Sequence, residues 1–343
     1  MSSSQERYRR QVTLVGAQAQ ARIRAAHVAI VGAGGLGSPA ALYLAAAGIR
    51  RITLIDDDLV SLSNLHRQIL HSTGTVGSAK AESARARLAD INPDVHLDTV
   101  TDRLTWDNAL SILDGADVVL DGTDNFYTRH VASHAAARLG IPHIWASILG
   151  FEAQMSVFWA GRGPVYEDVF PAPPPPGSVP SCAEAGVLGP VVGVVGSAMA
   201  METLKIVTGI GSPLIGEIAY YDSLAAAWER IPVTADPAVT QRVRSSDPPR
   251  GPAEVASITA GATVIDVREP EEFAAFHLPG AVNYPLGDIL AGVTPDEAEN
   301  GAVVVCARGM RSAQAVEALT ARGVHGLASL RGGLEQYFSA TGG

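Results

Sequence analysis

The sequence predicts an α/β protein with two domains, the first built on a mostly parallel sheet with helices on both faces and the second smaller. Three observations predict this architecture. The first half alternates short β-branched runs with helical patterns, which is typical of parallel strands joined by crossover helices. One of these strands runs directly into a cluster of glycines and then into a helix. A proline-rich stretch with the composition of a linker then precedes a second series of strand and helix patterns.

The length of the chain also indicates two domains. Its 343 residues exceed one typical domain of roughly 100 to 200 residues. We expect a first domain at 1–232, a linker at 233–254 and a second domain at 255–343.

Periodicity and turn residues locate the elements of the first domain. Ser38 and Pro39 are a helix start, and Gly48 is its stop. Helical patterns also cover Ser78–Asp90 and Asn125–Leu139. The predicted strands are His27–Val31, Arg51–Ile55, Val95–Val100, Asp117–Asp121 and His143–Ser147.

Composition and charge exclude several classes of protein. A formal net charge of -10 argues against a broad nucleic-acid surface, which needs a basic face. Two cysteines cannot form the disulfide framework of a secreted domain, and the amino terminus lacks the apolar core of a signal peptide. We therefore expect a cytoplasmic protein.

One apolar stretch raises the question of a membrane. Residues 187–207 are apolar and rich in glycine, but Pro190, Glu202 and Lys205 interrupt them. This pattern predicts a buried core helix and no membrane partner.

The glycine cluster predicts a nucleotide site. The stretch VAIVGAGGLG is a strand followed by Gly32, Gly34, Gly35 and Gly37. Glycines allow backbone amides to approach a phosphate at the amino end of a helix. Asp56, at the end of the next strand, is placed to bind ribose hydroxyls. These residues alone fit an NAD-dependent Rossmann oxidoreductase equally well.

Three charged residues favour ATP over a nicotinamide. Arg67, Lys80 and Asp124 lie on segments that a Rossmann-like sheet brings to its carboxyl edge. A triphosphate needs cations on its oxygens and usually a carboxylate for magnesium, whereas hydride transfer needs neither.

Residues 5 to about 232 resemble the MoeB/ThiF family of ubiquitin-activating-type adenylyltransferases. The motifs ERYRRQ, GAGGLGS, SNLHRQ, GSAKAES, GTDN, SCAEAGVLGP and YYDSLAAAW follow the pattern of that family in order. The resemblance implies that Arg10 reaches across a homodimer to the nucleotide of the partner. It also implies that ATP and Mg²⁺ are held, with Asp124 at the metal, by Gly34, Asp56, Asn64, Arg67, Lys80 and Asp124.

The chain departs from the family at a structural zinc site. Many members carry two CxxC pairs, but the first aligns here with VYED at 165–168 and the second has no counterpart near Pro232. We expect no zinc site, and we expect the proline run near 171–180 to stiffen this loop instead.

The surroundings of Cys306 predict a reactive thiolate. The motif CARGMRS follows an apolar strand and precedes a helix, so backbone amides and a helix amino end face the sulfur. Arg308 and Arg311 add positive charge nearby. Both features favour the thiolate.

Residues 255–343 resemble a rhodanese domain. The framing motifs are VIDVREPEEFAAFHLPGAVNYPL and LRGGLEQYF, around the active loop CARGMR. Four residues separate Cys306 from Arg311, whereas a cysteine phosphatase has five in this place, and the shorter loop suits a sulfane sulfur. The resemblance implies a Cys306 persulfide stabilised by loop amides and Arg311. Asp266 and Arg268 are interpreted as structural.

The two resemblances in one chain are typical of MoeZ-type adenylyltransferase/sulfurtransferase fusions. They imply adenylylation of a small β-grasp sulfur-carrier protein ending in Gly-Gly, then transfer of sulfur from Cys306 to give a thiocarboxylate. The sulfur comes from a cysteine desulfurase or thiosulfate, and the product serves molybdopterin, cysteine, thiamine or tRNA-thiolation pathways. The resemblance makes Cys182 a second nucleophile, although a structural role is a serious competitor. An activator that stops at a thioester, without sulfur transfer, is the alternative.

Overall fold

The structure is a computed structural model that describes residues 3–175, 178 and 185–341. The chain divides into two compact units, each with its own sheet. The first unit comprises Met1–Pro173 and Ser181–Pro249, and the second comprises Pro174–Pro180 and Arg250–Gly343.

The first unit contains an eight-stranded mixed sheet in the order β3-β2-β1-β4-β5-β6-β7-β8. Strands β1 to β5 pair in parallel, and the pairs from β5 to β8 are antiparallel. The predicted mostly parallel sheet is confirmed. The strands are β1 (His27–Val31), β2 (Arg51–Ile55), β3 (His96–Val100), β4 (Val118–Asp121), β5 (His143–Leu149), β6 (Glu152–Phe158), β7 (Glu217–Asp222) and β8 (Ala227–Pro232).

Some of the described helices of this unit begin or end at a recognisable cap. Gly48 ends the second helix in the left-handed conformation, with φ 89°. The side chain of Asn125 caps the fifth by accepting the Thr128 amide at 3.0 Å. The helices are α1 (Ser3–Ile23), α2 (Gly37–Ala47), α3 (Lys80–Ile91), α4 (Trp106–Ile112), α5 (Phe126–Leu139), α6 (Gly189–Thr208) and α7 (Pro237–Ser245).

Alternation along β1 explains why the sheet is buried on both faces. Val28 and Ile30 belong to the apolar core on one face, and Ala29 and Val31 belong to the core on the other. Successive side chains of a strand point to opposite faces, so an all-apolar strand requires cover on both.

Helix α6 covers most of the apolar stretch at 187–207. By length and apolarity it is the single helix of the described residues that could cross a membrane. One face, including Val195 and Met199, is buried in the core of the first unit, while Val194 and Met201 on the other face are exposed. The predicted core packing therefore holds for one face of the helix.

The stretch predicted as a linker contains a packed helix. Asp236 accepts the Ala238 amide at 2.8 Å and Pro237 is the first residue of α7, which together form a helix start. Val243 is buried against Ala160 and neighbouring apolar residues. The structure thus differs from the linker prediction at Pro237–Ser245, because a short apolar face is present within a composition typical of linkers.

The second unit has a five-stranded sheet in the order β11-β10-β12-β13-β9, with all neighbours parallel. Ile265 and Val304 face one core, and Val264 and Val305 face the other. The strands are β9 (Glu254–Val255), β10 (Val264–Asp266), β11 (Val282–Asn283), β12 (Val303–Val305) and β13 (Ala328–Leu330). The helices are α8 (Pro270–Ala275), α9 (Leu286–Leu290), α10 (Met310–Ala321) and α11 (Gly333–Thr341).

Candidate active sites

The glycine loop, residues 32–37, lies where the strand order of the first sheet reverses. Strand β1 pairs with β2 on one side and β4 on the other, and ligands of open α/β sheets bind at such a switch point. Gly32 has φ 92°, and its amide donates to the Ile55 carbonyl at 2.8 Å. A Cβ on Gly37 would lie 1.9 Å from the Gly32 oxygen. The turn is therefore closed too tightly for a side chain at Gly37.

Two side chains hold the glycine loop at Ala33, one through the backbone amide and the other through the backbone carbonyl. The Ala33 amide donates to Asp56 Oδ2 at 2.7 Å, and His71 Nε2 donates to the Ala33 carbonyl at 3.0 Å. His71 Nδ1 then accepts from Ser83 Oγ at 2.9 Å. Burial lowers the pKa of His71, which favours the neutral ring that this pattern of one donor and one acceptor requires.

Asp56 positions the loop. Its second oxygen accepts the Asp58 amide at 2.9 Å. Burial raises the pKa of Asp56 to about 6, against the lowering effect of Lys80. A carboxylate oxygen has more than one lone pair, so these bonds are compatible with the predicted contact to ribose.

Lys80 is buried and surrounded by carboxylates. Its side chain is 7% exposed, and Nζ donates to Asp58 Oδ2 at 2.7 Å. Burial acts to lower the pKa of Lys80, but the charges of Asp56, Asp58 and Asp124 outweigh it and raise the pKa above its ordinary value. Lys80 is therefore an ammonium at neutral pH, fixed beside the glycine loop.

The other charged or polar residues predicted for this site either make different contacts or are exposed. Arg67 donates to the Ser63 carbonyl at 3.2 Å, and Asn64 Oδ1 accepts the Ser61 amide at 3.3 Å. Asp124 is exposed after β4, and Arg10 is exposed on α1. Within the described ranges, no hydrogen bond or ion pair joins Arg10, Asn64 or Arg67 to Lys80.

Two buried oxygens beside the loop fit a nucleotide. Ser38 Oγ and Gln68 Oε1 have no hydrogen-bond partner within the part of the chain that the structure describes. Gln68 Nε2 lies 3.6 Å from the place of a Cβ on Gly34, so this side chain borders the loop. Buried polar groups are otherwise almost always paired. A hydroxyl that can donate to a phosphate and an amide oxygen that can accept from a ribose or base suit such a ligand.

The segment that replaces the first cysteine pair of the resembled family is tied down by a carboxylate. Asp168 Oδ2 accepts the Val165 amide at 2.7 Å, and Asp168 Oδ1 accepts the Asp236 amide at 3.0 Å. Asp168 thus links this segment to the start of α7. Among the described residues, no three His, Cys, Asp or Glu side chains are grouped as a metal site would need. That the protein lacks zinc remains a prediction.

Substituting Asp168 by alanine should weaken this link. Two hydrogen bonds to backbone amides are lost from a partly exposed site, and we expect a decrease of about 1–2 kcal/mol in the free energy of unfolding. Thermal unfolding followed by circular dichroism measures the change. Asp168→Asn, which keeps one acceptor oxygen, should lie between wild type and Asp168→Ala. Equal midpoints for all three proteins would contradict the linking role.

In the second unit, Cys306 follows β12 at the start of the active loop, residues 306–311. Its side chain is buried, and Sγ accepts the amides of Gly309 at 3.1 Å and Ser312 at 3.4 Å. The Ser312 hydroxyl lies 3.4 Å from the same sulfur and 2.7 Å from Ser329 Oγ. Donors that converge on one sulfur stabilise negative charge there.

The arginines near Cys306 are paired with carboxylates. Arg308 contacts Glu335 at 3.0 Å, and Arg311 forms a two-bond pair with Glu272. The backbone amides therefore face the sulfur directly, while the positive charge expected from Arg308 and Arg311 is balanced. Arg268 is paired with buried Asp266 at 2.7 Å, which agrees with a structural role for these two residues.

Cys182 lies outside the described residues, so its predicted role as a second nucleophile stays a prediction. Sequence reasoning also missed residues that the structure places in the sites: Asp58, Gln68, His71, Glu272 and Ser312. Gln68 ends the motif SNLHRQ, and Ser312 ends CARGMRS. Their contacts depend on tertiary structure, which local patterns do not contain.

The first unit thus has the features of a nucleotide-binding α/β protein, and the second those of a sulfur-binding cysteine domain. The profile of the ThiF family matches residues 8–242, and that of the rhodanese-like domain matches residues 252–340. The chain belongs to the ThiF family and carries a rhodanese-like domain at its carboxyl end.

Curated relatives extend over both parts of the chain. A protein from Mycobacterium tuberculosis named probable adenylyltransferase/sulfurtransferase MoeZ is 39% identical over 96% of this chain and 91% of its own length. The sulfur carrier protein adenylyltransferase of Thermus thermophilus is 47% identical over 68% of this chain and 88% of its own. The crystal structure of E. coli MccB with ATP is 22% identical with a TM-score of 0.60, over 67% of this chain and 72% of that one. This last likeness concerns the fold.

Proposed function

We propose that this protein adenylylates the C-terminal glycine of a small ubiquitin-like sulfur-carrier protein with ATP and then transfers sulfur to it from a persulfide on Cys306. The enzyme is an adenylyltransferase and a sulfurtransferase, with working domains at 1–232 and 255–343. One observation carries the proposal: a single chain holds both a glycine loop beside a buried lysine ammonium and a cysteine sulfur that accepts two backbone amides.

In the first step, a carboxylate oxygen of the carrier attacks the α-phosphorus of ATP and pyrophosphate leaves. The loop amides and Lys80, together with Arg67 and Arg10 from the other protomer of a homodimer, balance the charge of the phosphates. Asp124 would hold Mg²⁺, which supplies further positive charge at the phosphate oxygens when bound. The buried lysine is already charged in the described site.

In the second step, the Cys306 thiolate takes a sulfane sulfur from thiosulfate or from the persulfide of a cysteine desulfurase. The donor's bond to that sulfur breaks as the new S–S bond forms. The terminal sulfur then attacks the acyl carbon, and AMP leaves. Cys182 attacks the Cys306 sulfur of the acyl-disulfide, releases the thiocarboxylate, and leaves a disulfide that a thiol must reduce.

Two alternatives are less well supported. The ThiF profile covers the glycine loop and the segments that carry Arg67, Lys80 and Asp124, which argues against an NAD-dependent oxidoreductase. An activator that stops at a thioester would not need the rhodanese-like domain at 252–340. We further propose that the protein works in the cytoplasm and supplies molybdopterin or cysteine synthesis.

ATP–pyrophosphate exchange with each Gly-Gly carrier of the same organism tests the first step. Intact mass of the carrier, measured after adding a sulfur donor, tests the second. The proposal predicts exchange with at least one carrier and a mass gain equal to replacement of one oxygen by one sulfur. Absence of exchange with every such carrier would refute it.

Substituting Gly37 by alanine should impair the adenylylation step. The new methyl group would lie 1.9 Å from the Gly32 oxygen, so the glycine loop must move. Because small displacements at a phosphate site are costly, we expect exchange to fall about 100-fold. The matched control is Gly193→Ala on α6, where a Cβ meets nothing within 4 Å. A Gly37→Ala protein as active as this control would show that the loop does not bind the nucleotide.

A further inference from the structure

The guanidinium of Arg311 is held by a side chain to which neither the motifs nor the proposed reaction assigns a role. Arg311 ends the active loop on α10, and Glu272 lies on α8. Two parallel hydrogen bonds join them, from Arg311 Nη1 to Glu272 Oε2 at 2.6 Å and from Nη2 to Oε1 at 2.8 Å. The Glu269 amide also donates to Glu272 Oε2 at 3.1 Å. This two-bond geometry fixes the orientation of the arginine as well as its partner.

Glu272 is ionised at neutral pH. The hydrogen bonds from Arg311 lower the pKa of Glu272 to about 2, against a smaller opposing effect of burial. The other charges acting on this pair are those of Arg268, Glu269 and Cys306. Arg268 is itself paired with Asp266. The positive charge of Arg311 is therefore balanced before any sulfur donor arrives.

This balance matters because sulfur donors differ in charge. Thiosulfate is a dianion, whereas a persulfide or a thiosulfonate presents its sulfane sulfur with a single negative charge. Electrostatic attraction increases in proportion to the charge of the ligand. The amides of Gly309 and Ser312 already donate to the Cys306 sulfur. An unpaired Arg311 would add a full positive charge, which attracts the dianion more strongly than the monoanion.

We propose that Glu272 sets the donor preference of Cys306 by pairing with Arg311, so that the site favours singly charged, persulfide-type donors over thiosulfate. Glu272 is a positioning residue that acts through Arg311. The inference rests on the proposed sulfurtransferase function. In each transfer the Cys306 thiolate attacks the terminal sulfur, the donor's bond to it breaks, and the remainder leaves as sulfite, sulfinate or thiolate, without net oxidation.

The test compares two donors that differ by one charge, thiosulfate and methanethiosulfonate, with cyanide as the acceptor and the full-length protein. In Glu272→Gln, KM for thiosulfate should fall about two- to fivefold more than KM for methanethiosulfonate, as expected for a partly exposed ion pair. Glu272→Asp keeps the charge and should keep the wild-type ratio of the two KM values, whatever its kcat. The matched control Glu271→Gln removes a neighbouring exposed carboxylate and should leave the ratio unchanged.

Different outcomes of this experiment test the role of Glu272 and the proposed sulfurtransferase function. Equal changes of both KM values in Glu272→Gln, or a loss of kcat alone, would show that Glu272 only supports the fold and would overturn the inference. If Glu272→Gln does not fold, Glu269→Gln should shift the ratio in the same direction by a smaller amount, because its charge also acts on Arg311. An unchanged ratio of the two KM values in Glu269→Gln would also overturn the inference. A wild-type protein that uses neither donor would refute the sulfurtransferase function itself.

Discussion

Substitution of Cys306 by alanine should abolish sulfur transfer and leave ATP–pyrophosphate exchange intact. The sulfur that accepts the Gly309 and Ser312 amides is the proposed nucleophile, and alanine offers no atom to carry a persulfide. We expect transfer from thiosulfate to cyanide to fall at least about 1,000-fold, as for loss of other covalent nucleophiles. The carrier should then accumulate as the acyl-adenylate or return to the free acid, and its mass should show no sulfur.

Serine is the matched control for the shape of the active loop. Cys306→Ser keeps an acceptor for both amides and nearly the same volume, so the loop should remain folded while transfer is still lost. Residual transfer in both variants would place the nucleophile elsewhere. Loss of pyrophosphate exchange in either variant would contradict separate sites for the two reactions.

Substitution of Asp124 by asparagine should have the opposite effect. Asp124 follows β4 at the carboxyl edge of the first sheet, and its charge acts on Lys80. Asparagine has the same shape without the charge that would hold Mg²⁺. Loss of one such electrostatic contribution at a transition state typically costs 100- to 1,000-fold, and we expect pyrophosphate exchange to fall by about this amount. Transfer of sulfur from thiosulfate to cyanide should be unchanged.

Asp114 provides the control for a change of surface charge. It is exposed just before β4, at the amino end of the strand whose carboxyl end precedes Asp124. Asp114→Asn should exchange pyrophosphate like the wild type. An Asp124→Asn protein with wild-type exchange would remove Asp124 from the site, and one that lost both activities would indicate a general structural defect.

Local sequence determined the elements that could be predicted. The strands His27–Val31 and Arg51–Ile55 have the predicted bounds, because each is a mostly apolar run that begins at a polar residue and is followed by a glycine or an aspartate. The end of α2 at Gly48 follows from a residue suited to the left-handed conformation. These features need no knowledge of distant residues.

Helix α7 was missed because its stretch has the composition of a linker. The apolar face that packs on the first unit is small, with Val239 and Val243 four residues apart. Prolines on both sides of the helix, and serines at its carboxyl end, concealed this spacing. The packing of Val243 against Ala160 then decides the structure, and no local pattern predicts that contact.

Motifs located part of each candidate site, but they did not reveal how the charges around Cys306 are paired. Lys80 and Cys306 could be recognised from motifs, but the ion pairs that balance Arg308 and Arg311 join residues 27 and 39 positions apart. Sequence analysis therefore predicted a positively charged surround for Cys306 where the structure has paired charges. His71 was hidden for the same reason, since its contact with Ala33 spans 38 positions.

The two hydrogen bonds at Ala33 should affect how fast and how tightly the protein binds a nucleotide. With its amide on Asp56 and its carbonyl on His71, this part of the glycine loop is fixed without any ligand. Ordering a loop on association opposes binding. Here the loop is ordered when the protein folds, so this cost does not reduce the affinity for the ligand. ATP should therefore bind with little rearrangement of the turn, and removing the His71 support should lower affinity for ATP although His71 is not a proposed ligand contact.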